Sequence, residues 1–309
     1  MTIMKNKSVK QDEPNYFLLT AWIVMLLASS LALIIWREFI STEPIWWPWL
    51  HFASLLIILL ISCFSKSLRP LRSFVMINFI IFFLGFGGGW QWGIIPFIRS
   101  TPMWLNWEAN VPWAISSIMT HLLRLLPAVV ILMYLLGIGR KRKDFFLVKG
   151  EINALIEPTK LLGIKEPEPW PKTALIFIGV YCAGMLIFLI FNSSYSLDTF
   201  LLALPLFPVS ILIAAMNAFN EEFTLRAAPL SELRTTIGDQ RALLITTLYF
   251  GLGHYYGIPN GILGVLLACF LGWFLGKNML ETKGFFWAWI THFLIDVIIF
   301  SFLAMDIVA

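Results

Sequence analysis

The chain alternates long apolar runs with short polar stretches, and that rhythm predicts helices that cross a membrane. Tyr16 to Trp36 is uncharged over 21 residues, and a helix of about 20 residues spans the hydrocarbon core of a bilayer. Comparable runs follow at about 46–64, 74–98, 111–137 and 173–191, then from Leu201 onward, and at 242–256, 262–275 and 285–303. The fold predicted is all-α, a polytopic transmembrane bundle of about eight to nine spans. The first run is too long for the apolar core of a secretory signal and is read as a retained span. Trp46, Trp47 and Trp49 open the second run as an interfacial aromatic belt. Gly87-Gly88-Gly89 in the third reads as close helix packing or a kink.

Composition supports the membrane class. Hydrophobic residues make up 59% and charged residues 13%, and the mean hydropathy is +0.82. Soluble domains carry roughly 25% charged residues, so this chain lacks the charges to cover a water-facing surface. Cys63, Cys182 and Cys269 lie inside apolar runs with no metal-type spacing. They read as small buried hydrophobes, and no disulfide framework is implied.

The pI near 9.0 comes from basic loops, which here report topology and not nucleic-acid binding. Lys5, Lys7 and Lys10 precede the first run, and Lys66, Arg69 and Arg72 follow the second. Arg140 to Lys143 and further lysines follow the fourth, Arg226, Arg234 and Arg241 the sixth, and Lys277 and Lys283 the eighth. The intervening loops carry one basic residue or none. This alternation predicts a cytoplasmic N-terminus and an external C-terminus. A bacterial plasma membrane is the favoured location. Residues 137–171 form the one long polar stretch, either lying against the cytoplasmic interface or a solvated linker. No internal repeat is visible. Residues 1–199 hold spans one to five and residues 200–309 the candidate chemistry, within one structural unit.

That chemistry begins with charges where an anchor needs none. Glu221, Glu222 and Arg226 close an apolar run that starts at Leu201, and a charge in hydrocarbon costs at least a few kcal/mol. Glu222 and Arg226 are four residues apart, in the favourable order for a helical pair. Glu221 is turned away by about 100° and left for another task. Of the four histidines, His51 sits beside the tryptophan belt. His121 faces Arg124 three residues later. Arg124, deep in its span, needs an internal partner, as a structural ion pair or in support of an active site. His292 and Asp296 share one helix face. Counting from the same side at 1.5 Å per residue places Glu221 roughly 12 Å deep, His254 roughly 20 Å and His292 roughly 13 Å. A shared site is therefore possible. A carboxylate and two imidazoles activate water for amide or ester hydrolysis. The same atoms are also a catalytic zinc ligand set, although the local His-Glu-x-x-His signature is absent.

Three motifs stand in order on the sixth, seventh and ninth runs: Glu221-Glu222-Phe223-Thr224-Leu225-Arg226, then Phe250-Gly251-Leu252-Gly253-His254, then His292-Phe293-Leu294-Ile295-Asp296. Over about residues 200–300 the chain resembles the CPBP family of intramembrane proteases, which contains the type II CAAX-prenyl endopeptidases and the bacterial Abi proteins. The resemblance implies that Glu221 and His254 activate the attacking water. His292, with the residue at 296, would stabilise the oxyanion, and Glu222 and Arg226 would hold the first motif in shape. The family has been described both as metalloproteases and as metal-independent glutamyl proteases. Any zinc or other divalent metal would fall to Glu221, His254 and His292. Two positions depart from the family pattern. Ala227 stands where members usually have glycine, and Asp296 replaces asparagine. An ionised aspartate cannot donate to an oxyanion, so Asp296 is protonated, orients His292, or helps a metal. The expected function is an intramembrane endopeptidase cutting membrane-proximal bonds of a membrane-associated peptide or protein. A prenylated substrate does not follow from the resemblance. The alternatives are a non-catalytic scaffold or bacteriocin-immunity protein of the same fold, or an ion-coupled transporter, which a repeat between halves would mark.

Overall fold

The computed structural model describes residues 15–85, 87 and 89–309. Lys5, Lys7, Lys10 and Gly88 lie outside the described residues. The first helices are α1 (Asn15–Ala28), α2 (Leu31–Ile34, continued by a π-helical turn to Ile40), α3 (Trp47–Phe64), α4 (Arg72–Leu84), α5 (Ile94–Arg99) and α6 (Pro102–Asn110). Next come α7 (Trp113–Arg124), α8 (Leu126–Gly137), α9 (Trp170–Asn192), α10 (Leu197–Ala203) and α11 (Phe207–Glu221). A π-helical turn over Glu222–Ala227 leads into α12 (Ala228–Ile237), and α13 (Asp239–Gly253), α14 (Gly261–Thr282) and α15 (Phe286–Asp306) complete the bundle. The architecture is all-α apart from one two-stranded ribbon.

Six helical stretches are long and apolar enough to cross a membrane: Trp47–Phe64, Trp113–Gly137, Trp170–Asn192, Leu197–Ile237, Gly261–Thr282 and Phe286–Asp306. A seventh is the pair Tyr16–Ala28 and Leu31–Ile40, bent by 54°. The bend falls at Ser29 and Ser30. Ser29 Oγ donates to Leu26 O at 2.9 Å, and Ser30 Oγ leaves the helix to donate to Gly89 O at 2.7 Å. Side-chain bonds of this kind compete with the helical ladder and bend it.

The runs at 74–98 and 242–256, each predicted as one span, are shorter helices. Helices α4 and α13 have 13 and 15 residues, against the roughly 20 a crossing needs. α4 stops because Gly85 takes φ +60°, and Gly87 and Gly93 turn the chain further at +91° and +123°. Such values favour glycine, which has no Cβ to clash. Gly85, Gly87 and Gly89 therefore lie outside a helix, with Gly89 folded onto α13. Trp90 Nε1 donates to Tyr249 Oη at 3.0 Å, and the Gly89 backbone packs on that of Gly253. Irregular backbone among apolar helices is tolerated where protein buries it.

The stretch Leu197–Ile237 is nearly continuous over 41 residues, about 60 Å of helix. It outruns a bilayer. Its last third, α12, is buried by protein along Ala228, Leu230, Leu233 and Ile237. Around it, α13 packs along α14, and α11 packs along α15 and α7.

The polar stretch after α8 is a packed cap and not a solvated linker. β1 (Leu155–Ile156) pairs antiparallel with β2 (Glu168–Pro169). Phe145, Phe146 and Ile156 are buried, with the Phe145 ring 5.9 Å from that of Phe223. The Glu151 N–H donates to Thr282 O at 2.7 Å, and the Phe285 N–H donates to Val148 O at 2.8 Å. Arg140 forks onto Glu232 at 2.9 and 2.7 Å. The cap is thereby tied to the ends of α12, α14 and α15.

A methyl group added at Gly253 runs into the Trp90 indole. Overpacking costs about 1–3 kcal/mol, so Gly253→Ala is expected to lower the thermal midpoint in detergent. Gly137→Ala, which meets nothing within 4 Å, leaves the midpoint unchanged.

Candidate active site

Two fully buried charges define the floor of the site. Glu222 and Arg226 have no exposed side-chain surface and form an ion pair one helical turn apart. Removing charges from water is expensive unless they pair, and a single partner is not all that Arg226 has. Its guanidinium carbon lies 4.2 Å from the centre of the Phe250 ring, a cation–π contact that desolvation strengthens. Space for the guanidinium comes from α14, where Gly272 and Gly276 present a bare face. A Cβ on Gly272 would sit 3.2 Å from Phe250 Cδ1 and 3.3 Å from Arg226 Nη2. The π-helical turn that carries both charges is a geometry often found at functional sites.

Glu222 also reaches across to α15. Its Oε1 accepts from His292 Nδ1 at 2.7 Å. Sequence spacing assigns Glu222 to Arg226 alone; in the folded chain one oxygen serves both. With its Nδ1–H used in this way, His292 turns Nε2 toward the interior of the site. There it lies 3.8 Å from Glu221 Oε2 and 3.6 Å from Asp296 Oδ1.

Glu221 is buried and surrounded from four elements. Asn217, one turn earlier on α11, donates from Nδ2 to Glu221 Oε1 at 3.1 Å and to Asp296 Oδ2 at 3.0 Å. Arg124, at the end of α7, lies 3.5 Å from Glu221 Oε1. On the other side, His254 Nε2 lies 3.5 Å from Oε2. His254 sits at the end of α13, and its Nδ1 is 2.8 Å from the Phe250 carbonyl. A carbonyl only accepts, so Nδ1 carries the hydrogen, and a neutral His254 presents an Nε2 lone pair. Glu221 Oε2 is buried and makes no hydrogen bond among the described residues. Oε2 and the Nε2 of a neutral His254 are thus acceptors facing one another, with His292 Nε2 beside them. A shared proton or a donor such as water relieves that arrangement.

A cavity of about 50 Å³ adjoins these groups, enough for a few water molecules. His254, His292 and Asp296 form its polar wall, and Met185, Leu271 and Ile295 are on its apolar side.

The four residues predicted as catalytic, Glu221, His254, His292 and Asp296, are therefore brought together, with Glu222 and Arg226 directly beneath them. Arg124 finds its internal partner in Glu221. Asn217 is the residue the sequence reading passes over. It lies one helical turn before Glu221 inside an apolar run, a spacing that carries the signal. His51 stays away from the site: its Nδ1 donates to Leu27 O at 2.8 Å, and its ring packs against Trp47 and Phe82. The cysteines are all free, but Cys63 is exposed and the other two are half-buried. The expectation of buried small hydrophobes is corrected for Cys63, whereas Cys269 packs on Gly251 and Cys182 lies against the edge of the core.

Among the described residues no three His, Cys, Asp or Glu side chains are grouped to hold a metal ion. Zinc draws its ligands to about 2.0–2.2 Å around one point. Here Glu221 is instead occupied by Asn217 and Arg124 at one oxygen, with the imidazoles arranged about the other. As placed, these side chains do not form such a group, and no chemical step below passes through a metal.

Residues 202–298 match the family model of type II CAAX prenyl endopeptidase Rce1-like proteins. Over this core, the chain is similar to that family. The match runs from α10 into α15 and contains all six motif residues. Arg124, the 85–93 segment and the packed cap lie outside it. Neither a curated protein nor a solved structure matches the chain. Similarity to a membrane-protease family over this core accords with an integral, multi-pass membrane protein whose candidate site lies among its helices.

Arg226→Ala would leave Glu222 buried with only His292 as its partner. Breaking a buried pair costs about 3–5 kcal/mol, so the variant is expected to lose folded protein on heating in detergent. Arg226→Lys restores the charge but not the flat stacking on Phe250, and recovers stability only in part. A normally stable Arg226→Ala protein would show that the pair does not hold the site.

Proposed function

We propose that the chain is an intramembrane endopeptidase that hydrolyses peptide bonds of membrane-associated substrates with a water activated by Glu221 and His254. The observation that carries this reading is the buried Glu221 Oε2, without a hydrogen bond and faced by His254 Nε2 and His292 Nε2 from two other helices. A water bound in the adjoining cavity can donate into that cluster of acceptors. Glu221 takes its proton, with His254 Nε2 placed to share it, and the hydroxide oxygen bonds to the scissile carbonyl carbon. The carbonyl oxygen becomes an oxyanion. His292, carrying a proton on Nε2 and held through Nδ1 by Glu222, donates to it. The C–N bond then breaks, and the leaving nitrogen takes the proton held between Glu221 and His254. Asp296 fills an orienting role here. It faces His292 Nε2 and accepts from Asn217, so it favours the protonated imidazole that the oxyanion needs.

The proposal extends to topology. Basic loops place the N-terminus in the cytoplasm and the scissile bond nearer that side. Counting α4 and α13 as partial crossings brings the number of spans to eight or nine. Residues 200–309 form the catalytic core, and residues 1–199 brace it. A bacterial plasma membrane is the setting favoured. The apolar wall of the cavity suits an uncharged side chain next to the scissile bond, and nothing in it calls for a prenyl group.

Cleavage of a peptide library by the purified protein in liposomes tests this. Glu221→Ala and His254→Ala are each expected to lower the rate by roughly 10², as for removal of a general base, while the melting profile shows folded protein. Undiminished cleavage by Glu221→Ala would discard the mechanism. Activity abolished by chelation and restored by zinc would overturn the metal-free route.

A further inference from the structure

Helix α7 carries polar residues along a face that an apolar bundle does not need. Ser116, Ser117, Thr120, His121 and Arg124 recur at spacings of one face of a helix. Met119 and Leu122, on the opposite face, are exposed as lipid-facing residues are. Polar groups within a membrane span are costly and are retained for function.

The stripe has an open end and a closed end. At the open end lies a cavity of about 380 Å³, lined by Arg99, Glu108, Trp113, Ser117, Thr120 and His121. Arg99 Nη2 lies 3.6 Å from Glu108 Oε1 across it. Thr120 Oγ1 and Arg99 Nε are buried and lack hydrogen-bond partners among the described residues. Buried polar atoms in a roomy polar site are normally satisfied by water. At the closed end, His121 donates from Nδ1 to Ser117 O at 2.8 Å, which leaves Nε2 to accept from Arg124 Nη1 at 3.5 Å. Arg124 Nη2 in turn lies 3.5 Å from Glu221 Oε1. A continuous polar track therefore joins the cavity to the carboxylate.

The track reaches Oε1 through Arg124, whereas His254 lies against Oε2. Each turnover consumes a water, and a peptide lying against His254 would close the first cavity to solvent. We propose that the polar face of α7 is a hydrated passage that brings water to Glu221 while substrate occupies the His254 side. The delivery role rests on the hydrolytic reading above; the existence of the passage does not.

Thiol accessibility separates the two. In the full chain with Cys63, Cys182 and Cys269 replaced by serine, Ser116→Cys, Thr120→Cys and Leu122→Cys are each reconstituted in liposomes. They are treated with membrane-impermeant sulfonatoethyl methanethiosulfonate, an anion that Arg99 and Arg124 attract. The passage predicts that thiols at 116 and 120 form the mixed disulfide, while the lipid-facing thiol at 122 does not. Blocking position 120 is expected to abolish cleavage, and a reducing thiol to restore it. A Thr120→Cys protein as inert to the reagent as Leu122→Cys overturns the passage, and Ser116→Cys decides the matter if Thr120→Cys fails to fold. Full labelling at 120 with cleavage unimpaired overturns the delivery role. If the unlabelled parent cleaves no peptide, the protease reading fails, and the labelling pattern alone decides whether the passage exists.

Discussion

The buried ion pair between Glu222 and Arg226 is the constraint from which most of the site follows. Two charges without solvent are costly unless they are compensated, and the surrounding helices supply that compensation at several points. Phe250 offers its ring to the guanidinium, and α14 thins to glycine at 272 and 276 where Arg226 passes. His292 donates to the same carboxylate oxygen. One pair therefore fixes α11, α13, α14 and α15 against one another. Two of the three motifs are physically joined here, and Phe250 of the third stacks on the cation between them.

Above that floor, Glu221 has two chemically different sides. Oε1 receives donors, from Asn217 and Arg124, which favour the ionised carboxylate. Oε2 faces imidazole nitrogens whose hydrogens are committed elsewhere. A carboxylate held by donors on one oxygen and left open on the other is prepared to take a proton at a defined atom.

Parts of the chain outside the family match close the structure around this core. The non-helical 85–93 segment lays Trp90 and Gly89 against the end of α13 that carries His254. The cap after α8 packs Phe145 on Phe223, behind the π-helical turn. Arg124 arrives from α7. The first five runs, silent as motifs, thus supply walls and one functional contact.

The sequence alone determined the membrane class, the all-α fold, the Glu222–Arg226 pairing and the shared face of His292 and Asp296. Each of these depends on hydropathy or on helical spacing, which are local. Similar depth from one side made a common site possible, because rise per residue is also a local quantity. Tertiary structure decided the remainder. Hydropathy cannot separate one long span from a short helix broken at Gly85, since the residues after the break are just as apolar. It also leaves the end of the sixth run open, whereas the helix continues to Ile237, where protein buries α12. Depth fixes height along a helix but not direction around it, so the partner of Arg124, the second bond of Glu222 and the role of Asn217 emerge only once the helices pack.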